Sequence, residues 1–222
     1  WSISLDTKPP PSPTSCYIIF MIEIEKKFLL TEAQRARLLK DAKKLEDKKV
    51  EDSYFDTSDY RLTTKDYWLR LRNGAYELKA PLAAKSSSRI ATNRYYEITD
   101  TKEIAKELHL DTSIDLPSAL AQAEIKPFMT CFTNRTSYEK QGFHIDIDSA
   151  SYLDSTFKYS IAEIELLVAD EKDADIAEQK VIEFANECRL TTDQIILGKI
   201  VAYLQAEKPD HYNALLDANI IK

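Results

Sequence analysis

Five stretches of this 222-residue chain alternate apolar with charged side chains, and in each the charges fall on one face. Ile22, Ile24 and Phe28 oppose Glu23, Glu25 and Lys27; Tyr67, Leu69 and Leu71 oppose Trp68, Arg70 and Arg72; Tyr76 and Leu78 oppose Glu77 and Lys79. Further on, Phe143, Ile145 and Ile147 oppose His144, Asp146 and Asp148, and Ala162, Ile164 and Leu166 oppose Glu163 and Glu165. Successive side chains on a strand point to opposite faces, so each stretch is a strand with one dry and one charged side. One such strand is ordinarily half-buried with its charges in water. Repetition changes the reading, because amphipathic helices elsewhere in the chain must cover something apolar. The dry strand faces are what they can cover, which leaves the charged faces curled inward around a hydrophilic lumen.

Turn and cap residues set the remaining order. Thr31 with Gln34 makes a capping box, and Leu38, Leu39, Ala42 and Leu45 supply a stripe that predicts a helix to about Leu45. A short strand is expected over residues 54–57. Asn73-Gly74 joins strands 67–72 and 75–80 as a two-residue hairpin, and Gln141-Gly142 turns 130–138 back onto 143–149. Residues 82–93 read as a polar loop, 94–98 as a strand, and 101–110 and 116–124 as helices. A strand over 157–168, helices over 173–187 and 192–206 and a short tail over 210–216 follow. Pro9, Pro10, Pro11 and Pro13 precede any periodic face, and Met21 stands directly before the first strand. The expected organisation is a disordered leader over residues 1–20 and one domain over 21–222.

Composition excludes several functions. Thirty Lys plus Arg against 37 Asp plus Glu leave a net charge of −7, which argues against nucleic acid or an anionic membrane surface as partner. The longest apolar run, residues 16–22, is far short of the roughly 20 residues of a membrane span. Only three glycines are present, too few for a glycine-rich phosphate loop. Cys16, Cys131 and Cys188 form no C-x-x-C pair, which favours a reducing compartment; the expectation is a cytoplasmic monomer. His109, His144 and His211 lack metal-ligand spacing and read as filler.

A lumen holding carboxylates beside guanidiniums suits a polyphosphate, with Mg²⁺ (or Mn²⁺) bridging phosphate oxygens to the acids. A ligand-free lattice of cross-strand salt bridges is the competing reading of the same residues. Lys199 favours the first. It falls on the apolar stripe Ile195, Ile196, Lys199, Ile200, Tyr203, where an amine needs an anion.

Glu23-Ile-Glu25-Lys-Lys27 resembles the E-x-E-x-K signature of the CYTH superfamily, the triphosphate tunnel metalloenzymes. The likeness extends, in order, through Tyr54-Phe-Asp-Thr57, Trp68-Leu-Arg70-Leu-Arg72, Glu77-Leu-Lys79, Tyr95-Tyr-Glu97, Arg135, Asp146-Ile-Asp148, Glu163-Ile-Glu165 and Gly198-Lys199-Ile-Val-Ala-Tyr203. Trp68 and the 199–203 segment favour its thiamine-triphosphatase branch. The resemblance implies an α+β fold, a closed antiparallel eight-stranded β-barrel with helices packed outside. It implies that Glu23, Glu25, Asp146, Glu163 and Glu165 hold the metal, with Asp148 at or beside it. Lys27, Arg70, Arg72, Arg135 and Lys199 would grip the triphosphate, Arg135 also counting as catalytic. Lys79 and Glu97 would activate water, Lys79 through a lowered pKa. Trp68 shares a face with the arginines, which places an indole where a cationic organic group would lie. The expected reaction is Mg²⁺-dependent hydrolysis of thiamine triphosphate, a small-molecule substrate. A tripolyphosphatase or nucleoside triphosphatase on the same tunnel, and a non-catalytic polyphosphate-binding module, stand as alternatives.

Overall fold

The computed structural model describes residues 22–82 and 92–221. The expected leader and residues 83–91 of the expected polar loop lie outside these. Eight strands, β1 (Ile22–Phe28), β2 (Lys43–Asp56), β3 (Trp68–Arg72), β4 (Ala75–Pro81), β5 (Thr92–Ile98), β6 (Lys126–Lys140), β7 (Phe143–Tyr152) and β8 (Lys158–Val168), close into an antiparallel barrel. Its order is β1-β5-β4-β3-β2-β6-β7-β8. Six helices accompany it: α1 (Glu32–Leu39), α2 (Thr101–Glu107), α3 (Leu116–Gln122), α4 (Ala174–Glu187), α5 (Lys199–Glu207) and α6 (Pro209–Asp217). Among the described residues no helix is long and apolar enough to cross a membrane.

The dry strand faces hold the barrel together from outside. Ala177, Val181 and Phe184 of α4 and Leu38 of α1 pack on Ile22, Ile24, Ile145 and Ile164. On the other flank, Ile104, Leu116 and Leu120 from α2 and α3 cover Leu69, Leu78 and Ile98. Each such side chain contributes about 1.5–3 kcal/mol when fully buried. Asp100 and Asp115 cap α2 and α3 by accepting hydrogen bonds from first-turn backbone N–H groups. The last two helices differ from this pattern. Tyr54, Met129, Cys131, Ala150 and Tyr152 share strand parity with the lumenal charges, and Ile200, Tyr203 and Leu204 of α5 and Leu215 of α6 pack on them. Thus α5 and α6 close one end of the barrel from within.

Four expectations are corrected. The helix from Thr31 keeps its capping box but ends at Leu39 rather than Leu45. Asp41 turns the chain at φ 60°, and Leu45 is an exposed residue of β2. In place of a short strand at 54–57 there is a 14-residue strand, because residues 43–51 pair with β6 despite their polarity. That pairing is one-sided: β3 meets β2 only over Asp52–Phe55, with Asn73 bonding Glu51 just beyond, so among the described residues 43–50 have β6 as their one neighbour. Finally, α5 begins at Lys199, not at residue 192, and Ile195, Ile196 and Leu197 lie outside any helix or strand. The expected tail over 210–216 is a full helix, α6.

After β2 the chain makes one 3₁₀ turn, Thr63–Lys65. The buried Asp56 carboxylate accepts from Thr57 N (2.7 Å), Leu62 N (2.8 Å), Thr63 N (2.9 Å) and Thr63 Oγ1 (2.6 Å). His211 of α6 places Nε2 2.7 Å from the same hydroxyl, and Tyr60 stacks on its ring. The turn is therefore tied to both β2 and α6.

Candidate active site

Residues directly opposite in a ladder share a face, so register alone builds the lumen. Glu25 faces Glu165 and Lys27 faces Glu163 between β1 and β8. His144 faces Glu165 and Asp146 faces Glu163 between β7 and β8, and Arg135 of β6 faces Asp148. On the other side Trp68 faces Lys79, Arg70 faces Glu77, and Lys79 faces Glu97. The enclosed cavity measures about 510 Å³ and is lined by all of these except Asp148 and Glu77, together with Lys199 and Arg72. Ile195, Ile196, Leu197, Ile220 and Ile221 supply an apolar rim.

Acids and bases in the lumen neutralise one another. Arg135 grips Asp148 through two 2.6 Å bonds, reaches Glu163 at 2.9 Å and pairs with Asp146. Lys199, the first residue of α5, donates to Asp148 at 2.6 Å. Arg72 holds Asp52 bidentately at 2.7 and 2.9 Å, and Arg70 spans Glu77 (2.6 Å) and Glu97 (3.0 Å). Lys27 donates to Glu25 and to Asn93 at 2.8 Å; Lys79 pairs with Glu23. The salt-bridge lattice of the competing reading is thus present in the ligand-free chain. It holds every cation in place at the lumen wall, at the desolvation cost that buried pairs carry.

Protonation follows from these neighbours. Burial works against the Lys79 ammonium, but Glu23 and Glu25 beside it win and raise its pKa, opposite to the expected lowering. Burial likewise pushes Glu163 up, and the Lys199 and Arg135 charges override it, holding Glu163 well below the carboxylate range. Glu165 behaves otherwise. Burial and the Glu23, Glu25 and Glu163 carboxylates push it well above that range, and Lys79 does not offset them.

Two groups of ligating atoms form around Glu165, each within 4.8 Å: Glu23, Glu25 and Glu165, and His144, Asp146 and Glu165. Their oxygens are the hard donors that a small divalent cation takes, and a cation there would relieve the repulsion that raises Glu165. The set fits Mg²⁺. Asp148, expected at or beside the metal, is instead engaged by Arg135 and Lys199 and orients those cations.

Some lumenal residues escape the sequence reading. His144 is no filler: Nε2 lies 3.0 Å from Asp146 Oδ1, and its position on the charged face of β7 was the available signal. Asp52 shares strand parity with Tyr54, yet β2 was read too short to include it. Asp66 and Tyr95 meet Trp68 only through the fold. The Trp68 indole Nε1–H donates to Asp66 Oδ1 at 2.9 Å and the Tyr95 hydroxyl donates to the same oxygen at 2.8 Å. Trp68 also packs on the cluster at the plugged end, as do Ile220 and Ile221.

Residues 21–196 match the CYTH domain. The thiamine-triphosphatase of Homo sapiens is 27% identical over 216 residues, covering 90% of this chain and 91% of the human protein. That of Macaca fascicularis is 26% identical over 219 residues, 91% and 92% of the two chains. Among solved structures, the PH1819 protein of Pyrococcus horikoshii OT3 superposes with a TM-score of 0.55 at 19% identity, covering 83% of this chain and 99% of its own. HpAC1 of Hippeastrum, described as having a dominant triphosphatase activity, gives 0.51 at 15% identity over 85% and 96%. With the barrel, its inward charges and a domain match spanning most of its length, the chain belongs to the CYTH family.

Proposed function

We propose that this chain hydrolyses thiamine triphosphate to thiamine diphosphate and phosphate with Mg²⁺ (or Mn²⁺) as cofactor. The observation that carries this reading is one cavity with a basic grip, an acidic metal-fitting wall and an aromatic lining residue, Trp68. The similarity to two proteins named thiamine-triphosphatase supports it. Lys27, Arg70, Arg72, Arg135 and Lys199 exchange their carboxylate partners for phosphate oxygens, which accept the same charge-assisted and bidentate bonds. Glu23, Glu25, Asp146, Glu163 and Glu165 hold the metal, which when bound neutralises phosphate charge as a Lewis acid.

Phosphoryl transfer to water needs positioning and charge neutralisation more than a protein nucleophile. The raised pKa of Lys79 makes it an ammonium that orients water, and its cross-strand neighbour Glu97 is the carboxylate that takes the proton. The water oxygen bonds to the terminal phosphorus, the bridging P–O bond breaks, and its electron pair leaves with the diphosphate.

The test is phosphate release from thiamine triphosphate, tripolyphosphate and ATP, with Mg²⁺ or with EDTA. Thiamine triphosphate should show the highest kcat/KM, EDTA should abolish turnover, and Glu163→Gln should remove most of it. Full activity in EDTA overturns the metal assignment. A preference for tripolyphosphate moves the chain to that substrate.

A further inference from the structure

We propose that Asp66 is a positioning residue for the organic end of the substrate, acting through Trp68 and Tyr95. The proposal rests on the reading of Trp68 as the partner of a cationic ring. Asp66 Oδ1 alone receives both the indole N–H (2.9 Å) and the Tyr95 O–H (2.8 Å). Trp68 lies on β3 and Tyr95 on β5, with β4 between them, so one oxygen ties two aromatic side chains together across an intervening strand. The Lys79 ammonium lies 5.9 Å from the Tyr95 ring centroid, which joins this aromatic pair to the polar lumen.

A cation gains from an indole only when it meets the ring face. A partly exposed tryptophan on a strand can turn about two side-chain torsions, and a hydrogen bond at Nε1 selects one orientation. Asp66 can serve as that anchor because its own backbone is fixed. It ends the 3₁₀ turn in the left-handed region at φ 66°, with its N–H bonded to Thr63 O at 3.0 Å. Asp56 holds the turn through both Leu62 and Thr63, and His211 approaches the Thr63 hydroxyl from α6. The aromatic pair is thus referred, through one carboxylate, to a buried point between β2 and α6.

The left-handed backbone dictates the variants. Asparagine and glycine both tolerate positive φ, whereas alanine there would add strain of its own. Asp66→Asn keeps Oδ1 and removes the charge; Asp66→Gly removes the side chain. The chain has two tryptophans, so in a Trp1→Phe background Trp68 is the sole indole and its fluorescence anisotropy and acrylamide quenching report its freedom. Asp66→Gly should lower the anisotropy and expose the indole to quencher, while Asp66→Asn should leave both at parental values. For thiamine triphosphate, Asp66→Gly should lower kcat/KM about three- to tenfold, mainly through KM, with tripolyphosphate within about twofold of the parent. Trp68→Ala should cost about tenfold on thiamine triphosphate, and adding Asp66→Gly to it should change nothing further.

Unchanged anisotropy in Asp66→Gly overturns the proposal, as do additive losses in the double variant. Equal losses from Asn and Gly overturn it in favour of a direct charge effect on the substrate cation. A parent protein that prefers tripolyphosphate overturns the thiamine reading instead, and the anisotropy then decides on Asp66 alone.

Discussion

Gly198 shows how closely backbone can approach a lumenal cation. Its φ of −65° is open to any residue, so conformational freedom is not what this position requires. A Cβ built there would stand 3.1 Å from Lys27 Cε and 3.6 Å from Lys27 Cδ. The lysine stem would have to move, and its ammonium is tethered to Glu25 and Asn93. Leaving a preferred rotamer costs about 0.5–1.5 kcal/mol. Gly198→Ala is therefore expected to raise KM for the triphosphate about two- to tenfold, with little change in Tm. Steady-state kinetics checks this, and an unchanged KM would show that Lys27 has slack.

At the scale of elements, a polar chain through His211 ties α6 to the turn after β2. The Thr63 hydroxyl has one proton and gives it to Asp56, so His211 Nε2 must carry a hydrogen and donate to Thr63. A neutral or a protonated ring can make that bond, so it is burial that disfavours the charged form. Burial lowers its pKa below the ordinary 6.5, although Asp56 pulls the other way. Between the folded-state value and 6.5 the unfolded chain binds more protons than the folded one, so this contribution is complete above 6.5 and is lost as pH falls below it. His211→Gln retains a donor and removes the titration. Lowering the pH from about 7.5 to about 5.5 should reduce the parent Tm more than that of the variant. Thermal melts at the two pH values decide it; parallel slopes would sink the assignment.

Elements differ in how far the sequence discloses them. Strands β1, β3, β4, β7 and β8 are legible because each sets an apolar face against a charged one, so period two survives in the sequence although the charged faces of β1, β7 and β8 are buried as well. The first half of β2 is not, since residues 43–49 are exposed on both faces and keep no alternation; pairing with β6 decides. Ile195, Ile196 and Lys199 imitate helical spacing, but Tyr159 and Tyr152 hydroxyls donate to the Leu197 and Lys199 carbonyls and hold the approach to α5 against the barrel. The lumenal charges of those five strands are legible by the same alternation, whereas Arg135 and Glu97 enter only through the family resemblance and Asp52 falls outside the strand as read. Asp66 is not legible, because its partners come from β3 and β5 and no local pattern announces them.

For the molecule as a whole, stability and the site pull in opposite directions: helices on the dry faces secure a barrel whose inside concentrates like charge around Glu165. Glu165→Gln should raise the Tm of the metal-free protein, because an amide carries no charge for Glu23, Glu25 and Glu163 to repel. Mg²⁺ should raise the parent Tm by mass action and have little effect on the variant. Calorimetry with and without Mg²⁺ checks both, and a destabilised variant would show that the acid is needed for folding. The one-sided pairing of β2 carries a last consequence. An uncovered strand edge is a template for copies of a chain to zip together, and residues 43–50 present Lys43, Lys44, Lys48 and Lys49 along it. Among the described residues that edge is open, and a second strand docking there would have to strip water from those ammonium groups, so the same polar run that hides β2 from a sequence reader disfavours edge-to-edge pairing.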